Sequence, residues 1–210
     1  MKIFLCLPLK YVLPAVTAGL FLSCECRADV TFFDGTFNNA DWSETLYVNG
    51  NGGSSSAIQV LSGGNPSGYF QVTTHCNSGP ACGAGIYLRN AFTHSPATQG
   101  TISNLDYSVD LKAFGLYGEA EPVVAQNGSF YFGPELYTTA GTWQTLTESS
   151  LTAASFARVT NSPTGELGGD GTSHPDFSAS GSPVTFGFIV PDNSPAGSGI
   201  AYTTVGGVDN

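Results

Sequence analysis

Short runs of alternating apolar and polar residues, punctuated by glycine, proline, asparagine and serine, recur along this chain. The cleanest run spans 102–111. There Leu105, Tyr107, Val109 and Leu111 share one face of an extended strand, while Asp106, Ser108, Asp110 and Lys112 share the other. The pattern predicts one buried and one wet face, with Asp106 and Asp110 as solvated acids. Further strand patterns lie at 30–33, 45–48, 57–61, 69–74, 85–89, 123–126, 129–132, 142–147, 155–159, 184–190 and 200–205, about a dozen in all. The 3.6-residue period of an amphipathic helix is nearly absent; 151–158 comes nearest, as one helical turn or a strand approach. Strands and helices do not alternate, which excludes a doubly wound fold. The expectation is an all-β, two-sheet antiparallel sandwich forming a single domain over 29–210. The Gly-, Ser- and Asn-rich stretches 49–56, 161–172 and 192–198 read as its loops.

The first 28 residues break this pattern. Met1-Lys2 gives a short positive start, 3–22 is mostly apolar, and Ala28 supplies a small residue for cleavage, the features of an export signal that the mature chain lacks. Lys10 and the turn-rich chain that follows argue against a membrane anchor. Phe21-Leu22-Ser23-Cys24 resembles a bacterial lipoprotein box, so the expected location is secreted, with periplasmic or lipid-anchored forms as variants. Residues 1–28 hold Lys2, Lys10, Arg27 and Glu25; without them only Arg89, Lys112 and Arg158 face 15 acidic side chains, a formal charge of −12. Three scattered cations cannot release the counterions of a polyanion, so nucleic acid is excluded as a partner. Neutral glycans, cationic partners or calcium are compatible with such a surface.

Of five cysteines, Cys76 and Cys82 lie outside the leader. Export and the turn-forming residues between them predict one disulfide pinning a loop. The zinc alternative, with His75, Cys76 and Cys82, has no evident fourth ligand.

Three stretches carry a resemblance. The opening Thr31-Phe32-Phe33-Asp34-Gly35-Thr36-Phe37-Asn38-Asn39-Ala40-Asp41-Trp42 resembles the first strand and turn of secreted bacterial jelly-roll modules, among them carbohydrate-binding modules and concanavalin A-like sandwiches. Gly141-Thr142-Trp143-Gln144-Thr145-Leu146-Thr147 is similar to their Trp-centred strand, and Gly207-Val208-Asp209-Asn210 to the start of their last strand. The pattern is also similar to that of uncharacterised secreted proteins. The resemblance implies a jelly-roll fold, binding of polysaccharide or cell-surface glycan, and a structural calcium held by Asp34, Asn38 and Asp209. The simpler reading of those three is turn shaping and a chain end.

Sugars stack their apolar ring faces on aromatic side chains beside hydrogen-bonding groups. Trp42, Trp143, Tyr87 and Tyr131 are the candidates, each with a core position as its alternative. For catalysis, Glu119 and Glu121 fall on one face of an extended segment, as paired carboxylates of a glycan-cleaving hydrolase or lyase would. The Glu-x-Asp-x-x-Glu motif of laminarinase-type sandwich hydrolases is absent, since Pro122, Val123 and Val124 follow Glu121. His75, His94 and His174 are scattered, and no Gly-x-Ser-x-Gly elbow is present. The leading expectation is therefore a non-catalytic, glycan-binding module. A glycan-cleaving enzyme and an extracellular structural or surface-interaction protein are the alternatives.

Overall fold

A computed structural model describes residues 1–7, 28–48, 53–76, 81–115, 117–161, 167–193 and 202–209. Two antiparallel sheets pack face to face. The first contains β1 (Lys2–Leu7), β2 (Ala28–Phe33), β4 (Ser54–Val60), β5 (Tyr69–Cys76), β7 (Asn104–Ala113), β11 (Gln144–Leu151) and β15 (Tyr202–Asp209), ordered β2-β1-β7-β15-β5-β4 with β11 also on β7. The second contains β3 (Trp42–Val48), β6 (Ala81–His94), β8 (Gly118–Gln126), β9 (Ser129–Phe132), β10 (Leu136–Thr138), β12 (Ala157–Asn161), β13 (Leu167–Asp170) and β14 (Val184–Asn193), ordered β13-β12-β9-β8-β14-β6-β3 with β10 also on β8. The chain is all-β, and the one α-helix among the described residues, Pro96–Gln99, is a single turn. It is no membrane span, and no other described helix is long and apolar enough to cross a bilayer.

Aromatic and branched residues from both inner faces fill the core. Phe32, Phe37, Trp42, Phe70, Phe92, Phe186 and Phe188 form a connected ring cluster with centroids 5.1–6.3 Å apart, Tyr87 closing it against Phe188. Such contacts add to the area each ring removes from water. A second, smaller cluster lies on the other face of the eight-stranded sheet, where Ala84, Ile86, Val123 and Ile189 are fully buried beneath Leu88, Phe130 and Phe132. The sheet curls enough there for β13 to approach β6.

β7 carries the predicted alternation, with Leu105, Tyr107, Val109 and Leu111 in the core. Its other face departs from expectation at Asp110, which is fully buried because the loop before β5 folds over it and Asn65 Nδ2 donates to its Oδ2 at 3.0 Å. Within 161–172, expected to be loop, Leu167–Asp170 pairs with β12 as a strand. Asp170 closes the turn that follows, accepting from Thr172 N, Thr172 Oγ1 and Ser173 Oγ. In 151–158 the helical turn is the 3₁₀ segment Ala153–Ser155, flanked by strands. At the other end of the chain, Lys2–Leu7 of the expected leader forms β1 between β2 and β7, while 8–27, with Cys24 and the rest of the leader, lies outside the described residues.

Candidate functional site

The site grows from the turn between β2 and β3. Asp34, buried at the end of β2, organises that turn: its Oδ1 accepts from Thr36 N, Thr36 Oγ1 and Phe37 N, and its Oδ2 from Trp42 Nε1 (3.0 Å) and Arg89 Nε (2.7 Å). Burial alone would push the carboxyl up, but these bonds and the Arg89 charge together hold it below the usual 3.8. Phe37 adopts a left-handed φ of 46°. That strain is offset by its amide bond to Asp34 and by its ring, which stacks on Trp42 at 5.4 Å and 7°. Asn38 caps the 3₁₀ turn Asn39–Asp41, its Oδ1 accepting from Ala40 N. Arg89 also pairs with Asp41 at 3.1 Å.

With the turn fixed, β3 runs antiparallel to β6, Trp42 opposite Arg89 and Glu44 opposite Tyr87. Alternation puts Trp42 and Glu44 on one face. Where the edge strands β3 and β4 approach, a cleft of about 210 Å³ opens, lined by Asn39, Trp42, Glu44, Ala57, Phe70 and Tyr87. Tyr87 Oη donates to Glu44 Oε1 at 3.2 Å and lies 2.9 Å from Ser55 Oγ. Burial, with Glu44 adding to it, raises the phenol well above its usual 10, so this hydroxyl stays protonated and its one proton is shared with Glu44 and Ser55. Asn39 Oδ1 accepts from Gln59 N, capping an amide of edge strand β4. The cleft thus offers an apolar floor (Trp42, Phe70, Ala57) under carboxylate, amide and hydroxyl groups.

The four aromatic candidates do not form one surface. Trp42 and Tyr87 both line the cleft from the core, at 8% and 1% exposure, so each serves as its floor rather than as an open platform. Tyr131 is half-buried and packs against the main core. Trp143 lies on the outer face of the seven-stranded sheet beside Tyr69 at 5.1 Å, its Nε1 donating to Gly63 O, with Lys112 over its ring at 5.9 Å and over Phe114 at 4.8 Å.

The expected calcium donors are divided. Asp34 is filled by its own turn and Arg89, Asn38 is exposed and engaged in capping, and Asp209, fully buried, accepts from Asn65 N. The buried α-amino group of Met1 donates to Asp34 O at 3.1 Å. Burial lowers it to about 5, with Asp209, Asp34 and Asp110 pulling it back up. Among the described residues no three His, Cys, Asp or Glu side chains form a metal-holding group. The zinc alternative fails on strand geometry, because the consecutive His75 and Cys76 of β5 point to opposite faces. His75 Nδ1 bonds Thr203 Oγ1, His94 Nε2 bonds Gly100 O, and His174 Nδ1 bonds Phe156 O.

Glu119 and Glu121 do share a face of β8, but both are buried, at 4% and 7% exposure, and neither lines the cleft. Glu121 Oε2 has no hydrogen-bond partner among the described residues. Burial, reinforced by Glu135, pushes its carboxyl up to about 8. Glu44, Asn39 and Ser55 were not singled out by sequence. The Trp42-x-Glu44 spacing, aromatic and acid on one strand face, is the signal that leads to them.

Two solved structures, both from Clostridium thermocellum, are similar to the chain in overall fold. One is a family 11 carbohydrate-binding module in complex with a β-1,3-1,4-mixed-linked tetrasaccharide, 16% identical, with a TM-score of 0.48 over 85% of this chain and 91% of that one. The other is the family 11 module of the cellulosomal cellulase Lic26A-Cel5E, 15% identical, with a TM-score of 0.47 over 84% of this chain and 89% of that one. In fold, the chain resembles family 11 carbohydrate-binding modules. No family model matches the chain, and no curated protein matches it.

Proposed function

We propose that this chain is an exported, non-catalytic glycan-binding module whose sugar site is the edge cleft. The observation that carries the reading is the cleft's composition: an aromatic floor with Glu44, Asn39 and the Tyr87–Ser55 hydroxyl pair around it, the combination that holds a sugar ring by its apolar face and its hydroxyls. A panel of soluble and insoluble polysaccharides, with released reducing sugar monitored, tests it. Retention without sugar release is expected. Tyr87→Phe and Glu44→Gln should each weaken binding about tenfold, the loss of one good hydrogen bond, while Trp143→Ala leaves it unchanged. Retention on no glycan sinks the reading, and loss in Trp143→Ala alone moves the site to the other sheet.

Residues 1–28 act, in this proposal, as the export leader, and the mass of the exported protein reads their removal directly. Cys76 is fully buried at the end of β5 and bonded through sulfur; its proposed partner is Cys82, whose side chain lies outside the described residues. Calcium enters only in the chain without its leader. There the Met1 amino group no longer sits near Asp110 and Asp209, and those two, not Asp34 or Asn38, whose oxygens are engaged by their own turns, would supply the carboxylate donors, with backbone oxygens completing the shell. Calcium should then raise the melting temperature of the leaderless chain and chelator should lower it; no response to either removes the ion from the proposal.

A further inference from the structure

The groups around the edge cleft do not balance in charge. Glu44 is exposed at its rim, and among the described residues its hydrogen bond comes from Tyr87 Oη and no cation pairs with it. No Lys or Arg belongs to the described lining. The cation that stands beside it is Arg89, opposite Trp42 on β6, and it is engaged by two carboxylates, Asp34 at 2.7 Å and Asp41 at 3.1 Å. Two carboxylates and one guanidinium leave one negative charge, and Glu44 adds a second.

Glu44 is also held where a ligand meets it. Tyr87 lies over Gly85 of β6, where a Cβ would collide with the Tyr87 hydroxyl and with Ser55 Oγ. The bare backbone at Gly85 lets the phenol reach across from the eight-stranded sheet to β4 of the other, between Glu44 and Ser55. Its one proton is divided between those two groups, so most of the acceptor capacity of the Glu44 carboxylate faces the open side. A carboxylate has no donor of its own; a sugar hydroxyl brings it one proton, and an ammonium brings three with a full opposite charge.

We propose that the cleft selects a hexosamine ring with a free, protonated amine over the same ring bearing a hydroxyl or an acetamido group there, and that Glu44 takes the ammonium. The inference deepens the glycan reading given above and rests on it. Acetylation removes the charge and adds bulk to a seat of about 210 Å³. Uronates and sulfated sugars are turned away by the same carboxylate and by the chain's net charge of −10. Because Glu44 is exposed, the preference has the size of a surface ion pair, up to about fivefold in affinity at low salt, and screening removes it as salt rises.

Three β-1,4-linked trisaccharides that differ in one substituent, those of glucose, N-acetylglucosamine and glucosamine, test this by NMR titration of the full chain. The chain has 2 tryptophans, so two indole N–H signals report: Trp42 from the floor of the cleft, and Trp143 from the outer face of the other sheet. At about pH 6, where amines are protonated, the glucosamine trisaccharide should move the Trp42 signal with a Kd about fivefold below that of the glucose trisaccharide at about 0.01 M salt, and with no advantage near 1 M. The N-acetylglucosamine trisaccharide should bind no more tightly than the glucose one. Glu44→Gln should bring the glucosamine and glucose affinities together. Glu148→Gln, on β11 and four strands from β4 in the seven-stranded sheet, removes the same charge away from the cleft and should leave the preference whole. Equal affinities in the wild type, a preference that survives Glu44→Gln, or one lost equally in Glu148→Gln overturns the proposal and leaves the glycan reading standing. A Trp42 signal that none of the three sugars moves overturns both.

Discussion

Asp34→Ala is expected to lower the free energy of unfolding by about 3–5 kcal/mol, the cost of breaking a buried charged pair from one side. The side chain is 2% exposed and its partner Arg89 16%, so solvent cannot replace what is lost. Five donors lose their acceptor together: Thr36 N, Thr36 Oγ1, Phe37 N, Trp42 Nε1 and Arg89 Nε. Chemical denaturation at pH 7 reads the loss, and Asp34→Asn, which keeps one acceptor oxygen but no charge, should fall between. The pH dependence separates charge from shape. Because the folded carboxyl titrates below its ordinary 3.8, the stability it contributes is present above that value and is lost as pH falls through the folded one. The gap between wild type and Asp34→Asn should therefore close in acid; a gap constant to pH 2 would mean that packing, not charge, carries the effect.

Glu121 gives the opposite sign. Its carboxyl rises from the ordinary 4.5 to about 8 because burial disfavours the anion and Glu135 repels it. The protonated form is the one the fold accepts. Its contribution is full below 4.5 and is lost as pH rises through about 8. At 1.4 kcal/mol per pH unit, wild type should lose about 3 kcal/mol between pH 5 and 8 relative to Glu121→Gln, which has no proton to release. Urea denaturation of both proteins across that range is the measurement. Parallel curves would show that Glu121 reaches water and titrates normally.

The sandwich was legible because its strands obey period two, and β7 shows this face by face. Where the reading failed, a third element had intervened. Asp110 reads as wet from its own strand, and only the loop carrying Asn65, 45 residues away in sequence, makes it dry. The strand pattern at 123–126 starts short of β8, because Glu119 and Glu121, four and two residues before Val123, read as paired carboxylates rather than as buried strand positions. β13 was missed because Leu-Gly-Gly-Asp is turn chemistry by composition and strand only by pairing with β12. β1 was missed for a different reason: an apolar run after Met-Lys fits a leader and a buried strand equally well, and periodicity cannot separate them. In the candidate site, Trp42 and Tyr87 were visible as aromatics. Their meeting depends on the β3–β6 register, which puts Glu44 opposite Tyr87, and register is a property of two strands that neither sequence segment contains.

The dimensions of the edge cleft set how such a module would hold a polymer. At about 210 Å³ it falls below the roughly 300–1,000 Å³ of pockets that enclose drug-sized ligands, so on the proposed reading it would grip about one ring, with any linked units lying outside it. The intrinsic affinity of one such seat is small. Retention would then scale steeply with the number of copies displayed together, because each engaged copy raises the effective concentration of the next. The isolated chain would be retained but eluted readily by soluble sugar, while the same chain arrayed on a bead or a cell would need far more to displace it.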